Sequence, residues 1–108
     1  MVRYNGGMAE FQTVCRVSEL AEGQAKAVKA GNKLVALFLH EGKYFAIDDI
    51  CPHMGASLAA GIVEGGIVSC SWHAWRFRLC DGTWADNPRI KIGSYPVRVV
   101  GDLVQVQV

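Results

Sequence analysis

The chain has almost no surplus of charge of either sign: 11 Lys and Arg stand against 10 Asp and Glu, a formal net charge of +1. The basic excess that usually marks a nucleic-acid partner is therefore missing. It also lacks a long apolar run. The longest, Leu34 to Leu39, falls far short of the ~20 residues that a bilayer-crossing helix needs. The opening Met1-Val2-Arg3-Tyr4-Asn5-Gly6-Gly7 has no apolar stretch of the kind a secretory signal requires. Met8 is a candidate natural start, with the preceding residues an extension. The expectation is a soluble, cytoplasmic protein with neither a membrane nor a nucleic acid as partner. Internal repeats, low-complexity tracts, linkers and sustained helical periodicity are absent as well. What remains is 108 residues, room for one domain and not for two cores. With 51% apolar and 19% charged residues, that domain can bury a real core and is not a disordered segment.

Short apolar runs broken by glycine dominate the chain. Lys33–His40 and Lys43–Asp48 flank Glu41-Gly42, which reads as a two-residue hairpin with glycine at a positive φ. Pro96–Val100 and Leu103–Val108 flank Gly101-Asp102 in the same way, with Val97, Val99, Val104 and Val106 spaced two apart as in strands with one buried face. Phe11–Val17 is a further strand. Only Val17–Glu22 reads as helical, about one turn with Ser18 as its N-cap. The expected fold is all-β, short antiparallel strands closed as a sandwich or barrel.

Four cysteines (15, 51, 70, 80) and three histidines (40, 53, 73) carry the chemistry. Cys51-Pro52-His53 is a Cys-x-His unit and Cys70-Ser71-Trp72-His73 a Cys-x-x-His unit, with sixteen residues between His53 and Cys70. Each unit sits where the strand pattern breaks. Two loop tips, each with one thiolate and one imidazole, can converge on one metal centre. Three readings stand side by side. Two cysteines can be small core residues beside ordinary histidines. Zinc can take two cysteines and two histidines, although zinc modules usually keep like ligands together. In a Rieske-type [2Fe-2S] centre, two histidines replace two cysteines on one iron.

The two units with their surroundings, Cys51-Pro52-His53-Met54-Gly55-Ala56-Ser57-Leu58 and Cys70-Ser71-Trp72-His73-Ala74-Trp75-Arg76-Phe77, resemble the Rieske cluster signature. The tail Ser94-Tyr95-Pro96-Val97-Arg98-Val99 is similar to the closing hairpin of soluble Rieske ferredoxins and, equally, of the Rieske-like small subunits of NAD(P)H nitrite reductases. The resemblance covers about Phe11 to Val106. It implies one Rieske domain over 9–108 with a small cluster-binding subdomain at about 50–80. It implies that Cys51 and Cys70 hold the inner iron and that His53 and His73 hold the outer iron near the surface. It implies a third, shielding loop at Ala85-Asp86-Asn87-Pro88. It also puts Trp75 and Phe77 where high-potential members carry hydroxyl donors, and Ala56 and Trp72 where they carry a disulfide between the loops.

Charge counting says what such a ligand set does. Two ferric irons, two sulfides and two thiolates sum to zero with neutral imidazoles, whereas four thiolates leave a dianion. An electron enters the neutral centre more readily in a low-dielectric pocket. Without the hydroxyl donors, the expected midpoint lies at the low end of the Rieske range. It should also fall with pH under alkaline conditions, as imidazole protons leave the oxidised state first.

The remaining residues read more plainly. Cys15 is expected in the core, Cys80 in a turn, and His40 at a solvated strand end. Phe77 is expected to pack the subdomain. Trp72 and Trp75 either pack it or dock a partner. Pro52 and Met54 are candidate docking contacts, and Arg76 and Arg78 solvated strand charges. The leading function is a one-electron carrier between a reductase and an oxygenase or other terminal enzyme, with no catalysis on an organic substrate by this chain alone. The alternative is the small subunit of an assimilatory NAD(P)H nitrite reductase, with the large subunit as partner. A redox-sensing or metal-stabilised binding module is a third class. A terminal oxygenase needs a second iron on a 2-His-1-carboxylate set, and after the cluster only His40 is left for it.

Overall fold

A computed structural model describes residues 10–51, 55–70 and 75–108. Among them, twelve strands form three antiparallel sheets, and the only helical pieces are two single 3-10 turns. No helix among the described residues is long and apolar enough to cross a membrane. The expected all-β antiparallel architecture is what forms.

The strands are β1 Phe11–Arg16, β2 Ala25–Ala30, β3 Lys33–His40, β4 Lys43–Asp48, β5 Ile62–Glu64, β6 Ile67–Ser69, β7 Arg76–Arg78, β8 Thr83–Trp84, β9 Asn87–Lys91, β10 Ser94–Tyr95, β11 Val97–Val100 and β12 Leu103–Gln107. One sheet runs β1-β12-β11, a second β10-β4-β3-β2, and a third β5-β6-β7-β8-β9. Both expected hairpins form: β3 pairs with β4 from Val35↔Asp48 to His40↔Lys43, and β11 with β12 from Val97↔Val106 to Val100↔Leu103. At the first turn Glu41 (φ 52°) and Gly42 (φ 76°) both take positive φ. The Glu22 carboxylate accepts both of their N–H groups, at 2.6 and 2.8 Å, and holds that costly geometry in place.

The second sheet explains the apolar run in β3. Side chains alternate across it. Ala36, Phe38 and Ile47 face a core shared with Val68, Phe77 and Leu79 of the third sheet region. Val35, Leu37 and Ala46 face another, shared with Cys15, Val104 and Val106 of the first sheet. A sheet covered on both faces has no reason to alternate polar with apolar residues. Burying a Leu or Phe here is worth about 1.5–3 kcal/mol per side chain.

Three local expectations differ from the structure. The turn after β1 spans Val17–Glu19, with Arg16, not Ser18, at its N-cap. The Glu19 carboxylate reaches back to the Arg16 N–H at 2.8 Å, which does the work assigned to the serine. Pro88 is not in a shielding loop but in β9, the outer strand of the third sheet, where a missing N–H costs little. His40 ends β3 as expected, but its side chain is half-buried and 3.9 Å from Glu41, so it is only partly solvated.

Candidate metal centre

Two loops close in the same way. Cys51 N–H donates to the Ala56 carbonyl at 2.8 Å, and Cys70 N–H donates to the Trp75 carbonyl at 2.9 Å. In each case a cysteine is tied to the residue five positions on, and the histidine of its unit lies between. The first loop is clamped further by Gly55 N–H to the Cys51 carbonyl at 2.7 Å and by an Ile50↔Ser57 bridge. Gly55 takes φ 72°, which favours glycine. The second loop caps the β6–β7 hairpin, whose last pair is Ser69↔Arg76.

Behind the first loop stands Asp49, a carboxylate only 3% exposed. Its Oδ1 accepts from Ser57 Oγ at 2.7 Å and from Ala59 N–H at 3.0 Å. Its carbonyl accepts Leu58 N–H at 2.6 Å, and its own N–H donates to Leu34 in β3. One residue thus ties the loop's exit to its entry and both to the central sheet. Gly61 then passes so close to the second loop's base that an added Cβ would lie 2.2 Å from the Ser69 carbonyl.

Cys51 is fully buried and Cys70 4% exposed, and both belong to the core between the second and third sheets. Neither is in a disulfide, and Ala56 stands half-buried beside the first loop. His53, His73, Pro52, Met54 and Trp72 lie outside the described residues. The structure therefore places the two cysteines of the expected set in one buried core, each at the closed end of its own loop. Two buried thiols with no disulfide are the donor chemistry an iron–sulfur cluster needs. Among the described residues no three His, Cys, Asp or Glu side chains offer a rival metal site.

Around this centre, Phe77 is fully buried, as expected. Trp75 is half-buried and stacks on Trp84. Arg76 and Arg78 are exposed, and Arg76 pairs with Asp86 at 2.6 Å. Cys15 is a core residue and Cys80 sits exposed in a turn, both as read. Asp49 was not anticipated, because a charged residue beside a ligand unit reads as surface. Its only sequence signal is Ser57 eight residues on.

Two cysteine loops on an antiparallel β scaffold define the class of small iron–sulfur domains. The comparisons with known proteins name the family. A profile described as "Rieske [2Fe-2S] domain" matches residues 10–96, and the chain belongs to that family. Its cofactor is accordingly a Rieske-type [2Fe-2S] cluster. The chain is 34% identical over 98 residues to the ferredoxin component of an alkene monooxygenase system from Xanthobacter autotrophicus, which covers 90% of this chain and 80% of that one. Its fold is similar to a chain in the complex of reduced oxygenase and oxidized ferredoxin in carbazole 1,9a-dioxygenase, with TM-score 0.80, 28% identity and coverage of 90% and 92%. It is also similar to a nitrite reductase small subunit from Mycobacterium tuberculosis, with TM-score 0.83, 30% identity and coverage of 94% and 96%.

Proposed function

We propose that this chain is a cytoplasmic one-electron carrier that takes electrons from a reductase and hands them to an oxygenase. The observation that carries the reading is the matched pair of loops, each closed from its cysteine N–H to the carbonyl five residues on. In this reading one Rieske domain spans 9–108, with the cluster-binding part at about 50–80. Cys51 and Cys70 would hold the inner iron, and His53 and His73 the outer one. When bound, the cluster supplies a site that gains and loses a single electron.

The chain's own residues do the rest. Burial of Cys51 and Cys70 keeps water from the sulfurs, so charge changes there act in a low-dielectric setting. Asp49, Gly55 and Gly61 fix the loop positions, so little rearrangement accompanies a change in charge.

A second reading, the small subunit of an NAD(P)H nitrite reductase, is supported by the structural likeness to such a subunit at 30% identity. The two part experimentally. Rapid reduction by a separate flavin reductase, followed by turnover of an oxygenase, supports the carrier. Co-purification with a large nitrite reductase subunit, and no transfer to an oxygenase, would replace it with the second reading.

A further inference from the structure

A buried hydrogen-bond donor is left over near the loops. The Nε1–H of Trp84 is shielded from solvent and has no partner, the one buried side-chain N or O atom in that condition among the described residues. An unpaired buried donor costs about 1–3 kcal/mol, and a buried indole N–H normally finds an acceptor.

The strand register shows which way this residue looks. Trp84 pairs with Phe77, and Phe77 pairs with Val68. Trp75 stands two residues before Phe77, and Cys70 two after Val68. With a period of two, all five lie on one face of the third sheet. Val68, Cys70 and Phe77 are buried members of the core that also contains Cys51, and Trp75 and Trp84 pack against that core. The Trp84 ring is fixed by stacking on Trp75, with centroids 4.3 Å apart and planes at 11°. A held, unpaired donor thus sits on the face that carries Cys70, against the core that also contains Cys51.

We propose that Trp84 Nε1–H donates a hydrogen bond to a sulfur of the cluster held at Cys51 and Cys70. This rests on the cluster reading above. Thiolate and sulfide sulfurs are acceptors rich in electrons, and they bind a donor more strongly once the extra electron has arrived. The indole therefore stabilises the reduced state and raises the midpoint. It supplies from β8 a donor that Trp75 and Phe77 do not supply through a hydroxyl.

The test uses the loaded protein, with tryptophan labelled by 15N in the indole ring and reduced with dithionite. Pulsed EPR should show a 15N coupling that disappears in Trp84→Phe and survives in Trp72→Phe and Trp75→Phe. Trp84→Phe keeps an aromatic ring for the stack and loses only the donor, so its midpoint should shift downward. A purely structural Trp84 would change the melting temperature and leave coupling and midpoint untouched, which overturns the proposal. Absence of any tryptophan 15N coupling overturns it too. Should Trp84→Phe fail to fold, survival of the coupling in the other two variants assigns it by elimination. A preparation without iron and acid-labile sulfide would sink the cluster reading itself, and chemical analysis reveals that before any spectrum is taken.

Discussion

Tyr95 donates its hydroxyl hydrogen to Asp48 Oδ1 at 2.5 Å, which ties the segment before the last hairpin to the strand that leads into Cys51. The other oxygen of the same carboxylate accepts the Gly93 N–H at 2.7 Å. Burial, then the bond to Asp48 and its negative charge, push the Tyr95 phenol up to about 12.

This shift has a signed consequence. The fold favours the neutral phenol, whereas in the unfolded chain a tyrosine loses its proton near the usual value of about 10. The stabilisation from Tyr95 is whole below about pH 10 and is lost as pH rises toward about 12. Urea unfolding of Tyr95→Phe should therefore show a shallower alkaline loss than the parent. At neutral pH the variant should be less stable by about 1.5–3 kcal/mol, as for a lost hydrogen bond to a charged group. Identical alkaline slopes would contradict the assignment.

Asp49→Ala leaves the Ser57 hydroxyl and the Ala59 N–H without their acceptor. We expect a loss of about 2–4 kcal/mol and weaker iron retention after gel filtration. Asp49→Asn keeps an acceptor oxygen and should recover part of both. An Asp49→Ala protein with parental stability would remove this residue from its place behind the first loop.

The thiols should differ in reactivity. Cys80 is exposed. Cys15 is buried, and burial, then Glu19, push its thiol up, so it holds little thiolate at neutral pH. Iodoacetamide should label Cys80 first by a wide margin. Cys15→Ser should keep the cluster and cost about 1–3 kcal/mol for a hydroxyl in an apolar site. Loss of colour in folded Cys15→Ser protein would contradict its reading as a core residue.

The midpoint should lie at the low end of the Rieske range, since Phe77 and Trp75 bring no hydroxyl to the cluster. His53→Cys or His73→Cys should lower it further wherever the cluster survives, because a thiolate adds negative charge. A strongly positive midpoint, or unchanged redox behaviour in those variants, would contradict the assignment of donors or ligands.

Legibility in the sequence followed physics. The hairpins at Glu41-Gly42 and Gly101-Asp102 were readable because their turns sit between clear strand patterns, and the ligand units because spacing alone isolates them. β2 was missed because Ala-Lys-Ala-Val-Lys-Ala has weak strand propensity and becomes a strand only by pairing along β3. The β5–β6 hairpin was missed although Gly65-Gly66 between Ile62-Val63-Glu64 and Ile67-Val68-Ser69 carries the signal for it. The anchors at Asp49 and Tyr95, and the Trp75–Trp84 stack, depend on contacts between separate strands, and no local pattern announces those.

The central claim is a [2Fe-2S] cluster with two sulfur and two nitrogen protein ligands. Its most direct test is pulsed EPR on anaerobically purified, dithionite-reduced protein with 15N-labelled histidine, alongside iron and sulfide analysis. The account predicts equal amounts of iron and acid-labile sulfide and two histidine nitrogens coupled to the cluster, one lost in His53→Cys and the other in His73→Cys. A colourless protein carrying zinc without sulfide, or a cluster with no coupled histidine nitrogen, would contradict it.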